Sequence, residues 1–198
     1  MRKRAIVVGS GAGGAAAALE LQAAFDVTVL EAGREFRRFG LTTPALDRWR
    51  RLGLRPGIGW IARLFPAMRV ARTEDMVLVY GQALGGTTTI STGNALRLDD
   101  GLKAIGLNLD PEFEAIGRQV PVSTAHRERW GPTVRRLFEA CGELGLEPRV
   151  TPKLGDYSRC RRCGRCILGC PYGVKWDSRR LLAEAQAKGA QVVAGAKV

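Results

Sequence analysis

Gly9, Gly11 and Gly14 stand in the run GSGAGG, directly after the apolar stretch AIVV, and Glu31 closes a second apolar stretch, VTVLE. Glycine at the first position permits a tight turn. At the second it lets backbone approach a pyrophosphate, and at the third it lets a helix pack closely on a strand. Phosphate oxygens would then meet free amides at the positive end of that helix. An acid about 20 residues beyond the turn accepts hydrogen bonds from both hydroxyls of the adjoining ribose and repels a 2′-phosphate, which disfavours NADP. The chemistry these residues suit is therefore binding of the ADP end of a dinucleotide.

A second constellation is Cys160, Cys163, Cys166 and Cys170, followed by Pro171, which spell C-x2-C-x2-C-x3-C-P. Ferredoxins hold a cubane iron–sulfur cluster with this run, although there the last cysteine can serve another cluster. Arg159, Arg161, Arg162, Arg165 and Lys175 would offset the negative charge of a four-thiolate [4Fe-4S] centre. Structural zinc, a redox-active disulfide and plain reduced thiols remain open; zinc usually takes two separated CxxC pairs, which this run lacks. Four of the five cysteines packed so tightly do not resemble the framework of a secreted domain, and a reducing, cytoplasmic compartment fits better.

The elements that must position these groups alternate. A strand from Arg4 to Val8, a glycine turn, a helix from about Ala12 to Ala24 and a strand from Val27 to Glu31 make a βαβ unit over residues 1–33. Residues 34–72, with Trp49, Trp60, Pro44, Pro56 and Pro66, have weak periodicity and are expected to form loop with short helices. Met76 to Tyr80 predicts a strand running into GQALGGTTTISTGN, where paired glycines and hydroxyls suggest a tight turn and a helix start. Asp110 can cap a helix opened by Pro111, and another helix starts near Pro132, with Val134, Leu137, Phe138 and Cys141 at core-facing spacing. Ser178 can cap a helix running to Lys188, Gly189 ends it, and Gln191 to Ala194 reads as a strand. This alternation predicts an α/β class, a Rossmann-like FAD/NAD(P)-binding fold with a parallel sheet flanked by helices.

Composition sets the outer limits. With 198 residues, 45% of them apolar, the chain can bury one good core. No window reaches the roughly 18 uninterrupted apolar residues of a membrane helix, and the basic start closes on glycines with no small-residue cleavage site, so no signal peptide is read. The net charge of +12 raises a nucleic-acid reading. Basic residues cluster from Arg34 to Arg72 and from Arg159 to Arg180, yet neither stretch carries a nucleic-acid motif. Solvated faces and neutralisation of anionic cofactors account for the excess, and no nucleic-acid partner is expected.

VVGSGAGG running to VLEAG, followed by GQALGGTTTISTGNALR, is similar to flavoproteins that enclose a whole FAD. It resembles in particular the glucose-methanol-choline (GMC) oxidoreductase family, flavoenzymes that oxidise alcohols. The resemblance implies that Gly85, Gly86 and Thr87 (segment 76–97) approach the cofactor's phosphates or isoalloxazine edge and that Asn94 lies near the flavin ring. It also implies that residues 175–198 return to the adenine, with the backbone of Val198 meeting it. Threonines stand where serines are commoner in the family. The cysteine loop, 158–174, lies where some dehydrogenases of the family carry a cluster.

The similarity covers nearly the whole sequence but only the N-terminal half of such an enzyme, so the fold is expected to be incomplete at the C-terminus. The family's proton-accepting histidine belongs to the C-terminal part. The single histidine here, His126, matches no family motif and reads as an exposed loop residue, so no catalytic base is named. The reading is an FAD-dependent dehydrogenase or oxidase of CH–OH groups, on a small alcohol or sugar-like substrate. It is inactive without a C-terminal catalytic half or subunit, and passes electrons to a redox acceptor protein, by the cluster if one is present. Its rival is a standalone or split-subunit FAD and iron–sulfur electron carrier.

Overall fold

The computed structural model describes residues 2–37, 48–49, 51–53 and 63–198. These fall into two compact units, one of Met1–Thr92, Gly164–Pro171 and Asp177–Val198, the other of Gly93–Cys163 and Tyr172–Trp176.

In the first unit, strand β1 (Lys3–Val8), helix α1 (Ala12–Leu21) and strand β2 (Phe25–Glu31) form the expected crossover. β1 and β2 pair in parallel, Lys3 opposite Phe25 through Val8 opposite Leu30. The small side chains of α1 allow close packing on this sheet: Ala15, Ala18 and Leu19 are buried with Val7, Val27 and Val29. Ile6 and Val8 on the opposite face of β1 are exposed. Helix α5 (Arg179–Ala187) packs beside α1, burying Leu181, Leu182 and Ala185. Gly189, at φ +106°, ends its run, and strand β7 (Gln191–Ala194) then joins the free edge of β2 in parallel, Ala194 opposite Glu31. The sheet order is β1-β2-β7. The α/β class with a parallel sheet and flanking helices is thus as the alternation predicts.

Strand β4 (Val77–Gly81) lies where an apolar run predicts one, but its antiparallel partner β3 (Met68–Arg72) falls in a segment expected to be loop. The pairing supplies what MRVAR lacks on its own, since a strand with two arginines shows little alternation. Pro66 lies in a turn before β3, whereas Pro44, Pro56 and Trp60 lie outside the described residues. A compact cluster of Phe65, Ala67, Met68, Ala83, Ile90 and Leu168, with Phe36 edge-on to Phe65 at 5.9 Å, anchors the hairpin's base.

The second unit contains helices α2 (Asp100–Ala104), α3 (Asp110–Gln119) and α4 (Pro132–Glu143) and a short antiparallel pair, β5 (Val122–Ser123) with β6 (Lys153–Leu154). Two expectations change here. Asp110 does not cap α3: it is that helix's first residue, and its carboxylate pairs with Arg97 and, at 3.3 Å, with Lys103. The face of α4 is not a core face either, because Val134 and Leu137 are 47% and 65% exposed and Cys141 is only half-buried. Helical periodicity reports that an apolar face exists, not what covers it. Among the described residues no helix is long and apolar enough to cross a membrane.

Candidate functional site

Gly9 opens the turn at φ +92°, a left-handed conformation that favours glycine, and its N–H donates to the Leu30 carbonyl at 2.8 Å, tying the turn to the end of β2. A Cβ at Gly14 would stand 2.0 Å from the Gly9 carbonyl oxygen. Helix and turn therefore meet at contact distance, with no room for a side chain. Gly11 differs: among the described residues a Cβ there would meet no atom beyond its chain neighbours within 4 Å, and its backbone at φ −65°, ψ −171° suits any residue. Gly11 stands directly before the first turn of α1, whose leading amides have no partner inside the helix. Open room above free amides at a positive helix end is what an anionic diphosphate requires.

Glu31 is 6% exposed and fully engaged on one side. Its Oε2 accepts the Ser10 amide at 2.9 Å and the Ser10 hydroxyl at 2.5 Å, and Oε1 accepts the Gly33 amide at 2.8 Å. With two acceptor directions on each carboxylate oxygen, one on Oε1 is left for a ligand. That narrows the expectation that both ribose hydroxyls bind there. The end of β7 runs alongside, with Gly195 N–H donating to the Gly33 carbonyl at 2.8 Å and Ala196 N–H to the Glu31 carbonyl at 2.9 Å. Val198, two residues on, is 79% exposed.

The second glycine pair folds onto the first turn. Gly85 and Gly86 are buried at φ +91° and +54°, and a Cβ on Gly86 would lie 2.9 Å from the Gly11 Cα. The Gly85 amide donates to Ser10 Oγ at 3.1 Å, and the next residues close a single 3-10 turn, Gly86–Thr89. Thr87, exposed, accepts the Gly81 amide on its hydroxyl at 3.1 Å. So Gly9, Gly11, Gly14, Glu31, Gly85, Gly86 and Thr87 are gathered in one unit. Asn94 belongs to the other, where its side chain accepts from Lys153.

Three residues that sequence reasoning passed over complete the arrangement: Ser10, Thr88 and Ser178. Ser178 precedes α5 as a cap would, but its side chain makes no capping bond; its hydroxyl instead reaches the Ser10 carbonyl at 3.1 Å and the Gly85 carbonyl at 3.0 Å. Only a hydroxyl in each glycine-rich segment marked Ser10 and Thr88, and nothing local distinguished Ser178 from an ordinary cap.

His126 is not an exposed loop residue. It is half-buried in a 3-10 turn, Ala125–Arg129, edge-on to Trp130 at 6.0 Å and to Tyr157 at 5.8 Å, and its Nδ1 is buried without a hydrogen-bond partner. Burial, and then the nearby Lys153 charge, push its pKa below the ordinary 6.5. Elsewhere in the second unit Arg97 binds Asp99 through two hydrogen bonds, of 2.8 and 2.5 Å, and these pull the Asp99 pKa down to about 2.

Cys160, Cys163, Cys166, Cys170 and Cys141 are all half-buried. Cys160 Sγ accepts the Arg162 amide at 3.4 Å, with Arg162 at φ +54°. Cys160 and Cys163 fall in the second unit, Cys166 and Cys170 in the first. Among the described residues no three His, Cys, Asp or Glu side chains are gathered as metal ligands would be, so the cluster expectation gains no support.

The GMC oxidoreductase family model matches residues 4–198. The chain belongs to the GMC oxidoreductase family. It is 34% identical to an uncharacterized GMC-type oxidoreductase of Mycobacterium tuberculosis, over all of this chain and 32% of that protein. It is 27% identical to a long-chain-alcohol oxidase of Arabidopsis thaliana, over all of this chain and 26% of that one. The chain thus spans about a third or less of the curated relatives it matches. Among solved structures, pyridoxine 4-oxidase from Mesorbium loti superposes with a TM-score of 0.59 at 18% identity, covering 98% of this chain and 42% of that one, a likeness of fold.

Proposed function

We propose that this GMC chain binds FAD and forms the cofactor-holding part of an oxidoreductase acting on CH–OH groups. The observation that carries the reading is the open space over Gly11, the residue that precedes α1, with Gly86 packed against its Cα and Glu31 one crossover away.

The residues fit the group. The turn from Gly9 to Gly14 takes the diphosphate on main-chain amides, Glu31 Oε1 takes a hydroxyl of the adenosine ribose, and the backbone beyond Ala196 toward Val198 lies against the adenine. Gly85, Gly86 and Thr87 close the turn from the other side. Bound FAD supplies acceptance of a hydride from the alcohol carbon; the protein supplies position and electrostatics.

Alcohol oxidation is assigned to the assembled enzyme. His126 is shielded by Trp130 and Tyr157 and takes no part as a base. Proton removal and the substrate pocket belong to the portion that the longer relatives carry beyond the matched segment. The name of the Arabidopsis relative, a long-chain-alcohol oxidase, supports an alcohol as substrate class.

The test is direct. Purified chain, saturated with FAD and desalted, is expected to retain the flavin, identified by chromatography after denaturation, at one per chain. Alcohol-dependent flavin reduction is expected only when the downstream portion is co-expressed. A chain that retains no FAD under these conditions overturns the proposal.

A further inference from the structure

Ser178 is completely buried, and its hydroxyl lies within 3.1 Å of three partners contributed by two distant segments. They are the Ser10 carbonyl, in the first glycine turn, and the Gly85 carbonyl and Thr88 hydroxyl, in the second. The Ser178 amide donates to Thr88 Oγ1 at 3.0 Å, and Thr88 Oγ1 donates to the Gly85 carbonyl at 2.6 Å. Ser10 closes the ring by accepting the Gly85 amide at 3.1 Å and donating to Glu31. Arg179, next in the chain, lays its side chain along Gly85: a Cβ there would stand 2.8 Å from the Arg179 Cγ.

The orientation matters electrostatically. A peptide unit offers an anion either its N–H, which attracts, or its carbonyl oxygen, which repels. The Ser10 carbonyl belongs to the peptide whose N–H is the Gly11 amide, and with that oxygen held by the buried hydroxyl, flipping the peptide would cost the bond. The second turn spends its own amides inside the protein, Gly85 on Ser10 Oγ and Gly86 on the Ala83 carbonyl at 2.8 Å. A helix N-terminal serine ordinarily spends its hydroxyl on its own helix; here it is spent on the two glycine turns.

We propose that Ser178 is a positioning residue for diphosphate recognition. It holds the Ser10–Gly11 peptide of the first glycine turn with its carbonyl tied to the buried hydroxyl, so that the Gly11 amide and not the carbonyl is presented to the anion. The inference rests on the FAD reading above.

The test compares parent and Ser178→Ala in the full chain for affinity toward FAD, ADP and adenosine, the last two by displacement of FAD. Ser178→Ala is expected to keep the parent's circular dichroism and to bind FAD and ADP about tenfold more weakly, the effect of losing the one buried hydrogen bond that its hydroxyl proton shares between the two carbonyls. Adenosine, which has no phosphate, should bind as it does to the parent. If Ser178→Ala does not fold, Thr88→Val, which removes the hydroxyl linking Ser178 to Gly85, is expected to show the same selective loss. Unchanged FAD and ADP affinity, or an equal loss for adenosine and ADP, overturns the proposal, the second by marking Ser178 as merely structural. A parent chain that fails to bind FAD instead refutes the underlying functional reading, so the two failures are told apart.

Discussion

The Ser10 hydroxyl donates to Glu31 Oε2 at 2.5 Å, with Ser10 fully buried and Glu31 nearly so, and the same hydroxyl accepts the Gly85 amide at 3.1 Å. One side chain inside the glycine turn therefore links the acid at the tip of β2 to the second glycine segment. Ser10→Ala removes both contacts and leaves a carboxylate oxygen and an amide under-satisfied away from water. The expected cost is about 1–3 kcal/mol of folding stability, typical of a buried polar group deprived of its partner. Urea unfolding measures it as a lowered midpoint at constant slope, and an unchanged midpoint would contradict the role given to Ser10.

The sequence holds a single histidine, so its ring protons can be followed by NMR without ambiguity. Burial and Lys153 lower the pKa of His126, which favours the neutral ring in the fold. The linkage has one sign: stability from the neutral ring is fully present above the unfolded pKa of about 6.5 and is lost as pH falls through the folded one. The titration midpoint is expected below 6.5, and His126→Phe should flatten the decline of stability with acidity in that window. A midpoint above 6.5 would contradict the burial described for this ring.

How much of this was legible in the sequence depends on what kind of constraint each residue obeys. Gly9, Gly14 and Glu31 answer to the local geometry of a strand, turn and helix, so spacing alone placed them. The strand Gln191–Ala194 and the stop at Gly189 were local too. Ser178 was misread because a serine before a helix looks like a cap, whereas its partners Ser10 and Gly85 lie far away in the chain. β3 was missed because its strand character comes from pairing with β4. The apolar face of α4 was visible, but its exposure was not, since amphipathicity carries no record of what lies opposite. His126 gave no periodic signal; its burial comes from Trp130 nearby and Tyr157 beyond α4.

The most direct measurement is FAD titration of Gly11→Asp against the parent. Among the described residues no atom beyond its chain neighbours lies within 4 Å of a Cβ at Gly11, and its backbone suits any residue, so the variant should melt at the parent's temperature. Placing a carboxylate at the proposed diphosphate site should weaken FAD on the order of a hundredfold or more through like-charge repulsion. Folded Gly11→Asp protein that binds FAD as tightly as the parent would show that the cofactor does not lie over this turn.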